Sequence, residues 1–150
     1  MDDTEAFLST VVPALKEEVT ALHDGDLAPW MALWSRKEPV TLFGAALTAR
    51  GWADIEPAFR WLATNFSGSH SLEYEVVAGG ASGDLGYVVA IEHSTATVNG
   101  DPATYALRVT TVLRREDGVW KVVHRHGDPY DDSTRSVTSG IMARAARECA

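Results

Sequence analysis

The feature that most restricts the fold of this chain is a single change in the spacing of its apolar residues, near Phe66. Before that point the spacing is helical. Leu8, Val11, Val12, Leu15, Val19 and Leu22 recur at three- and four-residue steps, with Lys16, Glu17 and Glu18 set on the other side, which describes an amphipathic helix. Pro13 interrupts the pattern and is expected to kink or divide the helix, because proline lacks an N–H and crowds the preceding turn. Asp26 stands where it can cap a second, short helix carrying Leu27, Trp30, Met31, Leu33 and Trp34, with Pro29 in its tolerant first turn. A brief strand is predicted over residues 40–43, then a third helix from Trp52 that presents Ile55, Phe59, Leu62 and Phe66.

Beyond Ser67-Gly68-Ser69 the pattern is that of strands. Leu72, Tyr74 and Val76 alternate with Glu73 and Glu75, and longer strands are predicted over 87–97, 103–114 and 119–126. Asn99-Gly100-Asp101-Pro102 and Glu116-Asp117-Gly118 divide them, and Asn and Gly accept the positive φ of tight hairpins. The run from Gly79 to Gly86 has the composition of a phosphate loop, yet a strand and not a helix follows, so it is predicted to be a hairpin connection. Three helices followed by a meander make an α+β fold, with the helices on the concave face of a curved antiparallel or mixed sheet. One domain is expected over 1–130. Residues 131–150 are assigned to a tail, with a short helix predicted over 141–148 and capped by Ser139.

Composition narrows the partners. At 150 residues, 45% apolar and 23% charged, the chain has the make-up of an ordinary globular domain. Its 21 acidic and 13 basic side chains give a formal charge of −8. Nucleic acid and anionic membranes are held mainly by excess Lys and Arg, so neither is expected as a partner. Cys149 is the only cysteine, which excludes an intrachain disulfide. With an acidic start and no run of about 18 apolar residues, a cytoplasmic location is expected.

Strand alternation sorts the last hairpin into two rows. Leu107, Val109, Thr111, Leu113, Val119, Lys121, Val123 and Arg125 form one row; Arg108, Thr110, Val112, Arg114, Trp120, Val122, His124 and His126 form the other. The first is the more apolar and is assigned to the concave face. By the same test Tyr87, Val89, Ile91 and His93 point inward, and Val88, Ala90, Glu92 and Ser94 outward. A single bulge would reverse part of this assignment.

The segment from Ala21 to Asp26 (Ala-Leu-His-Asp-Gly-Asp) before a Trp-bearing helix, the run from Val40 to Gly44, and above all the hairpin from Leu107 to Pro129 with its Glu116-Asp117-Gly118-Val119-Trp120 turn resemble the SnoaL-like branch of the nuclear transport factor two-like superfamily. The resemblance spans roughly Val11 to Pro129. It implies a cone-shaped α+β barrel of the cystatin-like kind, a pocket between the helices and the concave sheet, and a homodimer. Relatives of this shape include ketosteroid isomerases, polyketide cyclases, dehydratases, oligomerisation domains and carriers, so function has to come from the site's own residues. One departure matters. Ketosteroid isomerases carry a tyrosine on the first helix and an inward aspartate on the strand matching 103–114, and this sequence has neither.

Candidate residues follow from these faces. Trp30, Trp34, Phe43, Trp61 and Tyr74 would form an aromatic wall for a small apolar or aromatic organic molecule; the plainer alternative is a core built of large rings. His93, Tyr105 and Arg125 are the polar groups placed on the concave face. They could support proton transfer beside a carbonyl, or dehydration, with no cofactor; otherwise they are structural. If the faces are reversed, His126 and Asp128 take that role. Arg108, Thr110, Trp120, His124 and His126 are assigned to an outward patch suited to a two-fold contact with a second copy. His124 and His126 form an H-x-H pair, but zinc needs a third protein ligand, and His23 and His70 are placed in distant loops, so no metal is expected. The result is a ligand-binding domain of the cofactor-free isomerase, cyclase or dehydratase group, or a non-catalytic carrier or sensor, or an interaction module with a vestigial pocket.

Overall fold

The computed structural model describes residues 2–44 and 47–130; the tail assigned to 131–150, with its short helix, lies outside them. Chain order is α1 (Asp3–His23), α2 (Ala28–Leu33), β1 (Thr41–Gly44), β2 (Leu47–Arg50), α3 (Trp52–Ala63), β3 (Phe66–Ser82), β4 (Leu85–Val98), β5 (Asp101–Glu116) and β6 (Val119–Pro129). The six strands form one mixed sheet in the order β2-β1-β6-β5-β4-β3. β1 runs parallel to β6 and every other pair is antiparallel. This is the expected α+β architecture, with β2 as a strand that the sequence pattern did not show. Hairpins turn at Gly83, at Asn99-Gly100 and at Asp117-Gly118, all with positive φ.

The first helix is not divided. Asp2 caps it in a capping box, accepting from Glu5 N at 2.8 Å, and the helix continues through Pro13 to His23. Its buried face includes Phe7, Val11, Leu15, Glu18, Val19 and Leu22, on both sides of the proline. Packing of that face on β3 and β4 outweighs the roughly 3 kcal/mol that an interior proline costs. Asp26 accepts from Ala28 N at 3.0 Å, so it does support the start of α2, although Leu27 is the capping position. At α3 the cap comes from elsewhere. Gly51 has φ 79° and no side chain to offer, and Glu38 accepts from Trp52 N at 2.7 Å in its place.

Two face assignments need correction. On β4 the buried row is Val88, Ala90, Glu92 and Ser94, while Tyr87 is exposed and His93 points away from the helices. Hydrophobicity misleads here because the inner row has to be small where the helices press, and it carries a charge that is paired inside. On β6 a bulge shifts the register between Val112–His124 and Leu113–Val122. Arg125 stays inward as expected, but Val122 is buried and Trp120 packs edge-on against Phe7 at 4.7 Å. Trp120 therefore belongs to the core and not to the outward patch. Val119 is exposed, and Lys121 donates to the Ala32 carbonyl.

The core is centred on α2. Trp30 stacks on Phe59 with ring centroids 3.7 Å apart, lies 4.8 Å from Trp34, and is itself fully buried. Gly86 shows how tightly the sheet meets α1, since a Cβ there would sit 2.6 Å from the Phe7 ring. Gly86→Ala is expected to lower stability by about 1–3 kcal/mol through overpacking, measured as a shift in denaturant midpoint.

Candidate functional site

Between the helices and the inner face of the sheet lies a cavity of about 700 Å³. Its walls are apolar and aromatic: Trp30, Phe59 and Leu62 on the helical side, Leu42, Leu107 and Phe66 on the sheet side, Phe66 opening β3 and not extending α3 as the spacing predicted. Trp61 and Leu47 stand at its rim, and Trp61 is 68% exposed. The polar groups gather at the floor, where Glu18 and His23 from α1 meet Glu92 from β4, Tyr105 from β5 and Arg125 from β6.

Two pairs organise that floor. Arg125 donates both terminal nitrogens to Glu92, Nη1 to Oε2 at 2.8 Å and Nη2 to Oε1 at 2.9 Å. Glu92 is buried and Arg125 nearly so, and the fork geometry makes this a strong charge-assisted bond. Burial alone would lower the Arg125 pKa, but the field and hydrogen bonds of Glu92 outweigh it and hold the guanidinium charged. The second pair is Tyr105 Oη with His23 Nε2, at 2.8 Å. Burial pushes the Tyr105 hydroxyl up to about 12 and pulls His23 below its ordinary value, so both are neutral near pH 7.

Glu18 has no such partner. It is 2% exposed, and its Oε2 lacks a hydrogen bond among the described residues, as does His23 Nδ1. Burial raises the Glu18 carboxyl to about 8; Arg125 works against that rise and Glu92 adds to it. The floor thus holds a carboxylic acid that keeps its proton at neutral pH, beside a neutral imidazole. Such an acid can donate a hydrogen bond or a proton to a ligand, and the low dielectric of the walls strengthens either interaction.

The structure redistributes the residues proposed from the sequence. Arg125 and Tyr105 reach the floor and Trp30 forms part of the wall. Trp61 is at the rim. Phe43 borders the mouth with its ring set edge-on to His124 and His126, at 5.3 and 5.6 Å. Trp34 is fully buried behind Trp30 and lines nothing. Tyr74 points inward but is packed within the core, where burial raises its pKa. His93 is not in the cavity: it faces out and bonds Glu75 at 3.1 Å. The reversed alternative, His126 with Asp128, is outside too, since His126 is exposed and Asp128 holds Arg108 through two bonds of 3.1 Å. Arg108, Thr110, His124 and His126 do share the outer face, with His124 Nδ1 bonded to Thr41 at 2.7 Å. His23 and His70 are not loop residues; they lie in α1 and β3.

Sequence reasoning missed Glu18, His23 and Glu92. For the first two a signal was present. Leu15, Glu18 and Leu22 are spaced i, i+3, i+7, and Val19 and His23 are four apart, so both polar residues sit on the apolar stripe. Glu92 had no comparable signal.

Two outcomes test this geometry. From pH 4.5 to about 8, native Glu18 keeps a proton that the unfolded chain has lost. Its contribution to stability, complete below 4.5, should therefore fall by roughly 1.4 kcal/mol per pH unit across that window. Glu18→Gln cannot ionise, so the stability difference between it and the wild type, followed by denaturant titration, should track this slope. Arg125→Met should lose about 3–5 kcal/mol because it strands Glu92, and adding Glu92→Leu should restore much of that loss in a double-mutant cycle.

A family model described as SnoaL-like domain matches residues 11–130. No curated protein matches the sequence. Among solved structures, similarity extends to a candidate dehydratase of the NTF2-like family from Streptomyces avermitilis, at 16% identity and TM-score 0.69 over 85% of this chain and 98% of that one. A ketosteroid isomerase-like protein from Erwinia carotovora atroseptica has 18% identity and TM-score 0.67, covering 83% and 96% of the two chains. An NTF2-like protein of unknown function from Pseudomonas putida has 22% identity and TM-score 0.66, covering 87% and 92%. At these identities the likeness is one of fold.

Proposed function

Because the chain belongs to the SnoaL-like domain family, we propose that it encloses a small, mostly apolar organic molecule in the cone and exchanges a proton with that molecule's polar end. One observation carries the proposal: Glu18 and His23, each nearly inaccessible to solvent and each with an unpartnered polar atom, lie at the floor of an otherwise greasy cavity. Burying an unpaired polar atom costs about 1–3 kcal/mol, and a ligand that pairs with it recovers that cost on binding.

Glu18 is the proton donor in this scheme. His23, held by Tyr105, is its neutral counterpart and receives or relays a proton according to its tautomer. Glu92 and Arg125 neutralise one another and shape the floor without being free to act as base or anion clamp. A buried acid of this kind serves isomerisation, cyclisation and dehydration alike. A carrier without turnover is the second reading, favoured by the absence of a free ionised base among the cavity-lining residues described. Self-association through the outer sheet face belongs to the same proposal. It is supported by the half-exposed Phe43 beside His124, His126 and the Arg108–Asp128 pair.

A thermal-shift screen of small aromatic and alicyclic compounds should yield ligands that raise Tm through binding to the folded state. Leu107→Trp, which fills the cavity from the sheet side, should abolish those shifts while the protein still unfolds cooperatively. Glu18→Gln should lower any turnover by about 10²–10⁴-fold if the acid works in catalysis. Ligands that bind Leu107→Trp as well as wild type would place the binding site elsewhere and refute the proposal.

A further inference from the structure

The chemical nature of the ligand's polar end is open in the proposal above, on which this inference rests. We propose that it is a basic nitrogen: an amine that enters as the ammonium ion and pairs with the Glu18 carboxylate at the cavity floor.

The charges around the cavity point to a cation. The ionisable groups lining it include Glu18, His23, Glu92, Tyr105 and Arg125, with no lysine among the lining residues. Both terminal nitrogens of Arg125 are committed to Glu92. When every carboxyl is ionised, two carboxylates face one guanidinium and the floor is one positive charge short. His23 does not supply it, since its ring is buried with Nδ1 unpartnered. Tyr74, packed nearby, is a neutral phenol. In the empty cavity the missing charge is made up by the proton on Glu18. An ammonium ion can replace that proton, its N–H groups pairing with the Glu18 oxygen that has no other partner among the described residues.

The surroundings favour the same sign. Trp30, Phe59, Trp61 and Phe66 line the cavity and leave Glu18 as the polar group there with an unpaired oxygen and no cation of its own among the described residues. The chain carries a formal charge of −8, which draws cations toward the surface and repels anions. A carboxylate ligand would meet two acidic side chains and no free cation. A neutral alcohol would use only the Glu18 proton. Proton balance is simple: the ammonium keeps its own proton, Glu18 releases one to solvent, and the floor is neutral before and after binding, so with an amine Glu18 serves as the binding carboxylate of the carrier reading and passes no proton to the ligand.

Tryptamine, tryptophol and indolepropionate share a ring and a short chain and differ in the terminal group, so they separate the three cases. By isothermal titration calorimetry near pH 7, tryptamine should bind about tenfold or more tightly than tryptophol, and indolepropionate should be the weakest. Repeating the titration in two buffers of different ionisation enthalpy should show close to one proton released per tryptamine and none per tryptophol. Glu18→Gln should remove the preference for tryptamine while tryptophol affinity changes little. Tryptophol binding as tightly as tryptamine, or tryptamine binding without proton release from the wild type, would overturn the amine while leaving the cavity proposal standing. Failure of all three to bind would overturn both.

Discussion

The forked bond between Arg125 and Glu92 is the interaction on which the site depends. It joins the inner faces of β6 and β4 across the intervening β5 and requires both rows to point toward the helices. A charge this deeply buried is tolerable only when it is paired and hydrogen-bonded. Once the pair is made, the charge of Arg125 is matched by Glu92, and two of its five N–H donors are spent on that carboxylate. Glu18, the second carboxyl on the same floor, is left to keep its proton.

That arrangement leaves a protonated acid at the floor of an apolar cone. Trp30, Phe59 and Phe66 exclude water from the walls, and the same exclusion holds Glu18 in its neutral form and His23 uncharged. Fold and chemistry are linked here through dielectric: the packing that stabilises the domain also sets the protonation of its acid. The outer face of the sheet is different. His93 with Glu75 and Arg108 with Asp128 are solvated pairs, whose individual contributions to stability are small.

Much of the architecture was legible in the residues. Helical spacing up to Phe66, alternation after it, and Gly-bearing turns at 83, 100 and 118 predict the element order closely. The site was less legible. Arg125, Tyr105 and Trp30 were found because alternation or helical spacing put them on the right face. His93 was misplaced because β4 has its greasier row outside, and Trp120 because one bulge reversed its side of β6. Glu18 was overlooked as one more charge in a run of three, although its spacing from Leu15 and Leu22 placed it on the buried stripe.

The sequence by itself determined the α+β class, the helix-then-meander order and the turns, because these follow from local periodicity and from residues that tolerate particular backbone angles. Only the tertiary structure decided which charges share the cavity floor. Glu18, Glu92 and Arg125 lie on three elements far apart in the chain, and their proximity is created when the sheet curves around α1. Their protonation depends on burial and on one another, and those are properties of the assembled core.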